Sequence, residues 1–284
     1  MRWIDSHCHL DAPEFDADRE QVVANARTAG VVQMVIPAVH PAHFEKLVAL
    51  AHEFGFYYAA GIHPMWMDYA PEASAHAKSA HTSDAQLLAQ LKAALEQYRD
   101  DPLLVAIGEI GLDYFLENLD KKRQWFFYTE QLKLAKQWNL PVILHVRKSA
   151  DMLLKGLRQV GINQGIAHAF NGSLKQAKSF ISLGFKLGFG GACTFERARQ
   201  IRQLAQSIPL ASIVLETDAP DMPPQWLYKT MQQRLDGQTQ ARNEPKELAR
   251  IAQVVAELRE ISVQALFEQV LQNTLAVFPK IELV

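Results

Sequence analysis

The sequence predicts a (β/α)8 TIM barrel, and three observations carry that prediction. Short apolar runs alternate with helix-like segments eight times along 284 residues. Histidines and acidic residues recur just past those runs, where a barrel of this kind gathers its chemistry at the C-terminal ends of the strands. The alternation also lacks a Gly-x-Gly-x-x-Gly turn, which disfavours the doubly wound sheet that the same pattern would otherwise permit.

The first strand leads through Trp3 and Ile4 into Asp5-Ser6-His7-Cys8-His9-Leu10-Asp11. Side chains alternate along a strand, so His7 and His9 are expected on one face, aimed at one volume. A helix is read over Asp16 to Ala29, stopped at Gly30. The wholly buried kind of strand is expected at Val31 to Pro37, where almost every residue is apolar. Helix then follows at Pro41 to Phe54, strand at Phe56 to Gly61, helix at Asp84 to Tyr98 and strand at Leu103 to Gly108. The second half continues with helix at Lys121 to Trp138, strand at Pro141 to His145, helix at Ala150 to Val160 and strand at Gly165 to Phe170. Helix at Ser173 to Leu183, strand at Phe185 to Phe189, helix at Glu196 to Gln206 and strand at Ser212 to Thr217 complete the strands. Glu244 to Leu258 is the helix after strand eight, and Ser262 to Phe278 an additional C-terminal helix. Met65 to Ser83 is a long connection after strand three, the kind of loop that carries substrate contacts. One domain, 1–284, is expected.

Composition narrows the function classes. With 29 Lys and Arg against 31 Asp and Glu, the formal charge is -2, so no global basic field attracts nucleic acid. A polyanionic substrate must be met by local cations. Cys8 and Cys193 form no metal-binding or disulfide-dense pattern, which points to a reducing compartment. No run reaches the ~18 to 20 apolar residues of a membrane span, and a soluble cytoplasmic protein is expected.

The residues at the strand ends are of one chemical kind. His7 and His9 follow strand one, His63 strand three, Glu109 and Asp113 strand four, His145 and Arg147 strand five, His168 strand six, and Glu216 and Asp218 strand eight. Taken singly, each histidine reads as a packed structural residue, and Asp218 as a helix cap. Together they read as a metal centre, because imidazole and carboxylate are the ligands of divalent transition metals.

Asp5-Ser6-His7-Cys8-His9-Leu10-Asp11, Gly61-Ile62-His63-Pro64, Gly108-Glu109-Ile110-Gly111-Leu112-Asp113-Tyr114, Leu144-His145-Val146-Arg147, Leu215-Glu216-Thr217-Asp218-Ala219-Pro220 and Arg242-Asn243-Glu244-Pro245 resemble the signatures of the TatD family of metal-dependent deoxyribonucleases. The match runs nearly the whole chain, in order. The resemblance implies an amidohydrolase-like barrel with two divalent metals. It assigns His7, His9 and Glu109 to one, Glu109 as a bridge, His145 and His168 to the other, and Asp218 to the first metal and its water. It further implies 3'-to-5' exonuclease activity on DNA, single-stranded or at 3' ends. The chain departs from the family pattern at Ala169-Phe170-Asn171-Gly172, where Cys-Phe-Ser-Gly is usual, and in the long loop after His63.

The chemistry follows from charge. Two metals acidify water, neutralise phosphoryl oxygens and assist the leaving alkoxide. Asp218 is expected to orient the water and take its proton, and His63 to contact phosphate or protonate the leaving group. Arg147 is read as a phosphate clamp or as one half of a surface ion pair. Glu216 and Asp113 are read as orienting ligands by hydrogen bond, Glu216 on a ligand or on His63. Tyr114, Phe170 and Trp66 are candidates for stacking on bases. The mixed ligand set suits Zn, Mn, Fe or Co at rest, with Mg able to act in turnover. The competing reading is a hydrolase of small esters, lactones or phosphate monoesters, since one barrel serves many substrates. A monomer without an obligate protein partner is expected.

Overall fold

A computed structural model describes residues 1–69, 82–239 and 241–283. Its eight parallel strands pair in sequence order: β1 Trp3–Asp5, β2 Val31–Pro37, β3 Tyr57–Ala60, β4 Leu104–Asp113, β5 Val142–Arg147, β6 Gly165–Ala167, β7 Phe185–Phe189 and β8 Ile213–Leu215. The helices between them are α1 Arg19–Thr28, α2 Phe44–Phe54, α3 Asp84–Gln97, α4 Lys121–Trp138, α5 Ala150–Val160, α6 Leu174–Ser182 and α7 Arg199–Ser207. After β8 come α8 Met231–Leu235, α9 Leu248–Leu258 and α10 Val263–Val277. This is the (β/α)8 barrel that the alternation predicts, with the additional C-terminal helix. The short α8, opened by a Thr230 capping box, was not expected. Part of the long connection after β3, residues 70–81, lies outside the described residues.

The ring closes where the chain returns from β8 to β1. Ser6 donates its backbone N–H to Leu215 O at 3.1 Å, Asp218 its N–H to His7 O at 2.9 Å, and His9 its N–H to Ala219 O at 2.8 Å. The buried Asp5 carboxylate adds a side-chain staple: it accepts from the Thr217 N–H at 3.0 Å and from the Thr217 hydroxyl at 2.5 Å.

Apolar side chains fill two layers. Ile4, Val35, Ala59, Val105, Ile143, Ile166 and Val214 point into the barrel and pack with Val277, Phe278 and Ile281 from the end of α10. Lys280 Nζ donates to Leu104 O, and the Glu282 N–H to the Tyr57 hydroxyl, so the tail seals the end where the strands begin. The opposite end, where the strands finish, remains for the site.

Several strand ends differ from expectation by two residues or more, β5 running on to Arg147 and β8 stopping at Leu215; for β1, β6 and β4 the local reason is visible. β1 stops at Asp5 because the Asp5 carboxylate turns back to accept the His7 N–H at 3.2 Å. β6 stops at Ala167, and Ala169 takes a left-handed φ of 43° that aims its N–H at Glu216 Oε1, 2.5 Å away. β4 runs on past Gly108 to Asp113, pairing Gly111 with His145 and Asp113 with Arg147. Its glycines serve close approach: a Cβ at Gly111 would stand 2.3 Å from His145 O.

Candidate metal centre

His7 and His9 lie beyond β1 on a bent segment tied to both neighbours, Ser6 N–H to Leu215 O of β8 and Cys8 N–H to Val35 O of β2, and the two imidazoles converge. Their Nε2 atoms are 3.2 Å apart. Glu109 Oε2 lies 3.3 Å from His7 Nε2 and 3.5 Å from His9 Nε2. Asp218 Oδ1 lies 3.4 Å and 3.6 Å from the same two nitrogens. Donors about 2.0–2.1 Å from one tetrahedral ion stand about 3.3–3.4 Å from each other. These separations match that spacing, and His7, His9 and Asp218 form one group of three donors close enough to hold a single ion.

The other oxygen of Glu109 serves a second set. Oε1 is 2.9 Å from His145 Nδ1, 3.4 Å from His63 Nε2 and 3.6 Å from His168 Nε2. One carboxylate thus faces two groups of imidazoles, one with each oxygen. Glu109 sits at this junction because β4 continues through it, buried between β3 and β5.

The outer nitrogens of the histidines separate their roles. His145 Nε2 is 3.1 Å from Asp113 Oδ2, and His168 Nδ1 is 3.2 Å from Glu216 Oε1. A carboxylate on the outer nitrogen holds the proton there and leaves the inner nitrogen's lone pair free for a metal. His63 is the reverse: its Nδ1 accepts the Met65 N–H at 3.2 Å, which places the proton of the neutral ring on the inward Nε2. The inner nitrogens of His145 and His168 thus present a lone pair toward Glu109, whereas His63, which with Glu109 and His145 also forms a group able to hold a metal, presents an N–H.

The charges are strongly coupled. Burial opposes the ionisation of Glu109, but His63, His7 and His168 outweigh it and hold its carboxyl well below the usual range. Burial likewise opposes protonation of His168, yet Asp218, Glu216 and Glu109 push its pKa up to about 10. Burial lowers His63 to about 4, against the pull of Glu109. Burial raises Asp218 to about 6, against His168 and His9. The buried His7 Nδ1, His168 Nδ1 and Glu216 Oε2 lack a well-aligned hydrogen bond. Carboxylates and imidazoles packed this closely and largely buried fit a bound cation.

Braces from outside hold these groups. Gln124 and Gln131, two turns apart on one face of α4, are both buried. Gln131 clasps the backbone of Ile62, accepting its N–H at 2.6 Å and donating to its carbonyl at 3.1 Å. Gln124 clasps Asp113 in the same way, at 2.8 and 3.0 Å. Asn243 donates to the carbonyls of Thr217 and Asp221, steadying the loop that carries Asp218. Sequence reading missed the two glutamines; their only signal is a seven-residue spacing on the apolar face of a helix.

The remaining expected residues fall outside the donor sets. Arg147 is exposed, and its guanidinium lies over the Phe115 ring at 4.4 Å. Glu216 approaches His168, not His63. Phe170 is fully buried against Phe180, which removes it as a stacking residue: the turn at Ala169 sends its ring into the helix layer. Trp66 is 36% exposed and packs on His43 and Tyr69, while Tyr114 is half-buried beneath Lys121. Among the described residues, no helix is long and apolar enough to cross a membrane.

The chain is similar to known proteins over nearly its whole length. The family described as TatD related DNase matches residues 4–279. An Escherichia coli protein named uncharacterized metal-dependent hydrolase YjjV is 39% identical, covering 98% of both chains. Its crystal structure superposes with a TM-score of 0.84 over 98% of each chain. Human deoxyribonuclease TATDN3 is 33% identical over 98% of this chain and 95% of its own. An Erwinia amylovora protein named 3'-5' ssDNA/RNA exonuclease TatD is 31% identical, covering 97% of this chain and 99% of its own.

Proposed function

Because this chain belongs to the TatD family of metal-dependent hydrolases, we propose that it cleaves phosphodiester bonds of DNA, removing nucleotides from 3' ends of single strands. The observation that carries this reading is Glu109, whose two oxygens face two separate sets of imidazoles. In this reading His7, His9, Glu109 and Asp218 hold one divalent cation and Glu109, His145 and His168 the other. Zn, Mn, Fe or Co suits the resting site, and Mg is able to serve in turnover. When bound, such a pair supplies an acidified water and neutralises the charge on the phosphoryl oxygens.

The protein's own groups do the rest. The Asp218 carboxylate, with one oxygen beside the His7 and His9 nitrogens, is placed to orient the attacking water and accept its proton. Glu109 fixes the separation of the two ligand sets. His63 presents an Nε2–H toward the same space and donates it to a phosphoryl or leaving oxygen. Asp113 and Glu216 keep His145 and His168 in the tautomer that ligation requires. The direction of cleavage follows the activity named for the Erwinia relative. The working form is a monomer of one domain.

The test is time-resolved cleavage of an end-labelled single-stranded DNA by metal-stripped enzyme resupplied with Mg, Mn or Zn, beside the His7→Ala, His9→Ala double variant. A metal-dependent ladder shortening from the 3' end, absent in the variant, is expected. Intact DNA under every metal, with turnover of a phosphate monoester or lactone, would replace the nuclease by a small-substrate hydrolase.

A further inference from the structure

Beside the second imidazole set, an aromatic ring stands at the mouth of the barrel with two cations on it. Phe115 is 47% exposed, an unusual place for a large apolar ring. The Arg147 guanidinium lies 4.4 Å from its centroid and the Lys148 ammonium 4.8 Å. Consecutive residues on extended backbone point to opposite faces. Here Lys148 takes a left-handed φ of 52°, costly for a residue with a Cβ, and that turn brings both side chains to the same ring.

The ring is also fixed to the site. Asp113 accepts the backbone N–H of Phe115 at 2.9 Å and of Leu116 at 3.2 Å through Oδ1. Its other oxygen lies 3.1 Å from His145 Nε2. One carboxylate therefore positions an imidazole of the centre and the backbone that carries the ring. Tyr114 is tied across to β5 by its N–H to Arg147 O at 2.9 Å, so ring and cations share a braced strand end.

We propose that Phe115, Arg147 and Lys148 form a nucleotide subsite, in which Phe115 stacks on the base beside the scissile phosphate and the two cations hold the neighbouring phosphate. A base offers a π-face to the ring, and the guanidinium and ammonium supply the local positive charge that a net charge of -2 does not. The same cluster explains how a chain without a basic field retains a polyanion near the metals. This proposal rests on the nuclease reading above, and deepens it by naming where the strand is gripped.

The experiment pairs enzyme and substrate changes. Short oligothymidylates, with or without an abasic residue at the 3'-terminal position, are cleaved by wild type, Phe115→Ala, Phe115→Trp and Arg147→Ala/Lys148→Ala in Mn over a range of salt. Phe115→Ala is expected to raise KM roughly 5- to 100-fold on the intact oligonucleotide, with Phe115→Trp restoring it. Removing the base should raise KM for wild type and hardly change it for Phe115→Ala, because either change abolishes the same stacking. The double variant should flatten the dependence of binding on salt by about 0.7 in log-log slope for each phosphate that is no longer neutralised. Wild-type KM in Phe115→Ala, or penalties from ring and base that simply multiply, would overturn the subsite while leaving the nuclease reading intact. A wild-type enzyme that cleaves no oligonucleotide would overturn both.

Discussion

His145 Nε2 lies 3.1 Å from Asp113 Oδ2, while its Nδ1 faces Glu109 at 2.9 Å, so the ring is held between two carboxylates with one assigned to each nitrogen. Asp113→Asn keeps the shape but takes away the charge that holds the proton on the outer nitrogen. Affinity for one divalent metal should fall about 10- to 100-fold, with the fold intact. Titration of metal-free protein with Co, followed by absorbance, reads this directly. Two unchanged binding steps would remove Asp113 from the ligand-orienting role.

A Cβ at Gly188 would lie 2.2 Å from Glu216 Oε2 and 2.5 Å from its Cδ. Glu216 is buried and cannot step aside into solvent. Gly188→Ala should therefore displace the carboxylate that meets His168 and the Ala169 N–H, at an overpacking cost of about 1–3 kcal/mol. Thermal unfolding with and without metal checks it. A variant with wild-type Tm and metal affinity would show that the carboxylate has room.

Gln131 fills both the donor and the acceptor of Ile62, one residue before His63. Gln131→Leu leaves both groups unpaired in the core, which costs about 1–3 kcal/mol for each. Stability should fall by at least the lower figure, and turnover more than substrate affinity, since His63 loses its support. Denaturant unfolding and steady-state kinetics separate the two effects; equal stability would mean that water takes over the clasp.

Asp101, remote from the centre, supplies a pH dependence. Burial raises its pKa, but His52, the Leu103 N–H and the Tyr58 hydroxyl outweigh it and hold the carboxyl below its usual range. A carboxyl depressed in the folded state stabilises above its unfolded pKa of about 3.9, and that contribution is lost as pH falls through the lower folded value. Wild type should therefore lose stability on acidification below about pH 4 more steeply than Asp101→Asn. At neutral pH the variant should be weaker by about 1.5–3 kcal/mol, the worth of a hydrogen bond to a charged group. Parallel acid titrations by circular dichroism would dismiss the assignment.

The barrel and the donor sets were legible for a common reason. Strand and helix periods are local, and His7, His9, His63, Glu109, His145, His168 and Asp218 are chemically conspicuous residues at the ends of local elements. What distance in the chain conceals was not legible. Gln131 and Ile62 meet across 69 residues, and a buried glutamine carries no mark of its partner. Phe170 looked available for a base because the left-handed turn at Ala169 has no signal in an alanine. Phe115 escaped notice for the converse reason: its exposure depends on where β4 ends, and the expected strand stopped at Gly108 where β4 runs on to Asp113.

The seam between β1 and β8 also governs when the centre comes into being. Asp5 and Thr217, which staple it, are 212 residues apart in the chain. During synthesis the His7 and His9 segment emerges long before Asp218, and an α/β chain closes its most distant pairing against the largest loop entropy. A ribosome-bound intermediate that stops short of β8 therefore carries imidazoles without the aspartate the proposal assigns to the water. On that reading, a chain that stops short of Asp218 lacks the group that handles the water, and its hydrolytic chemistry stays disarmed until the β1–β8 seam is made.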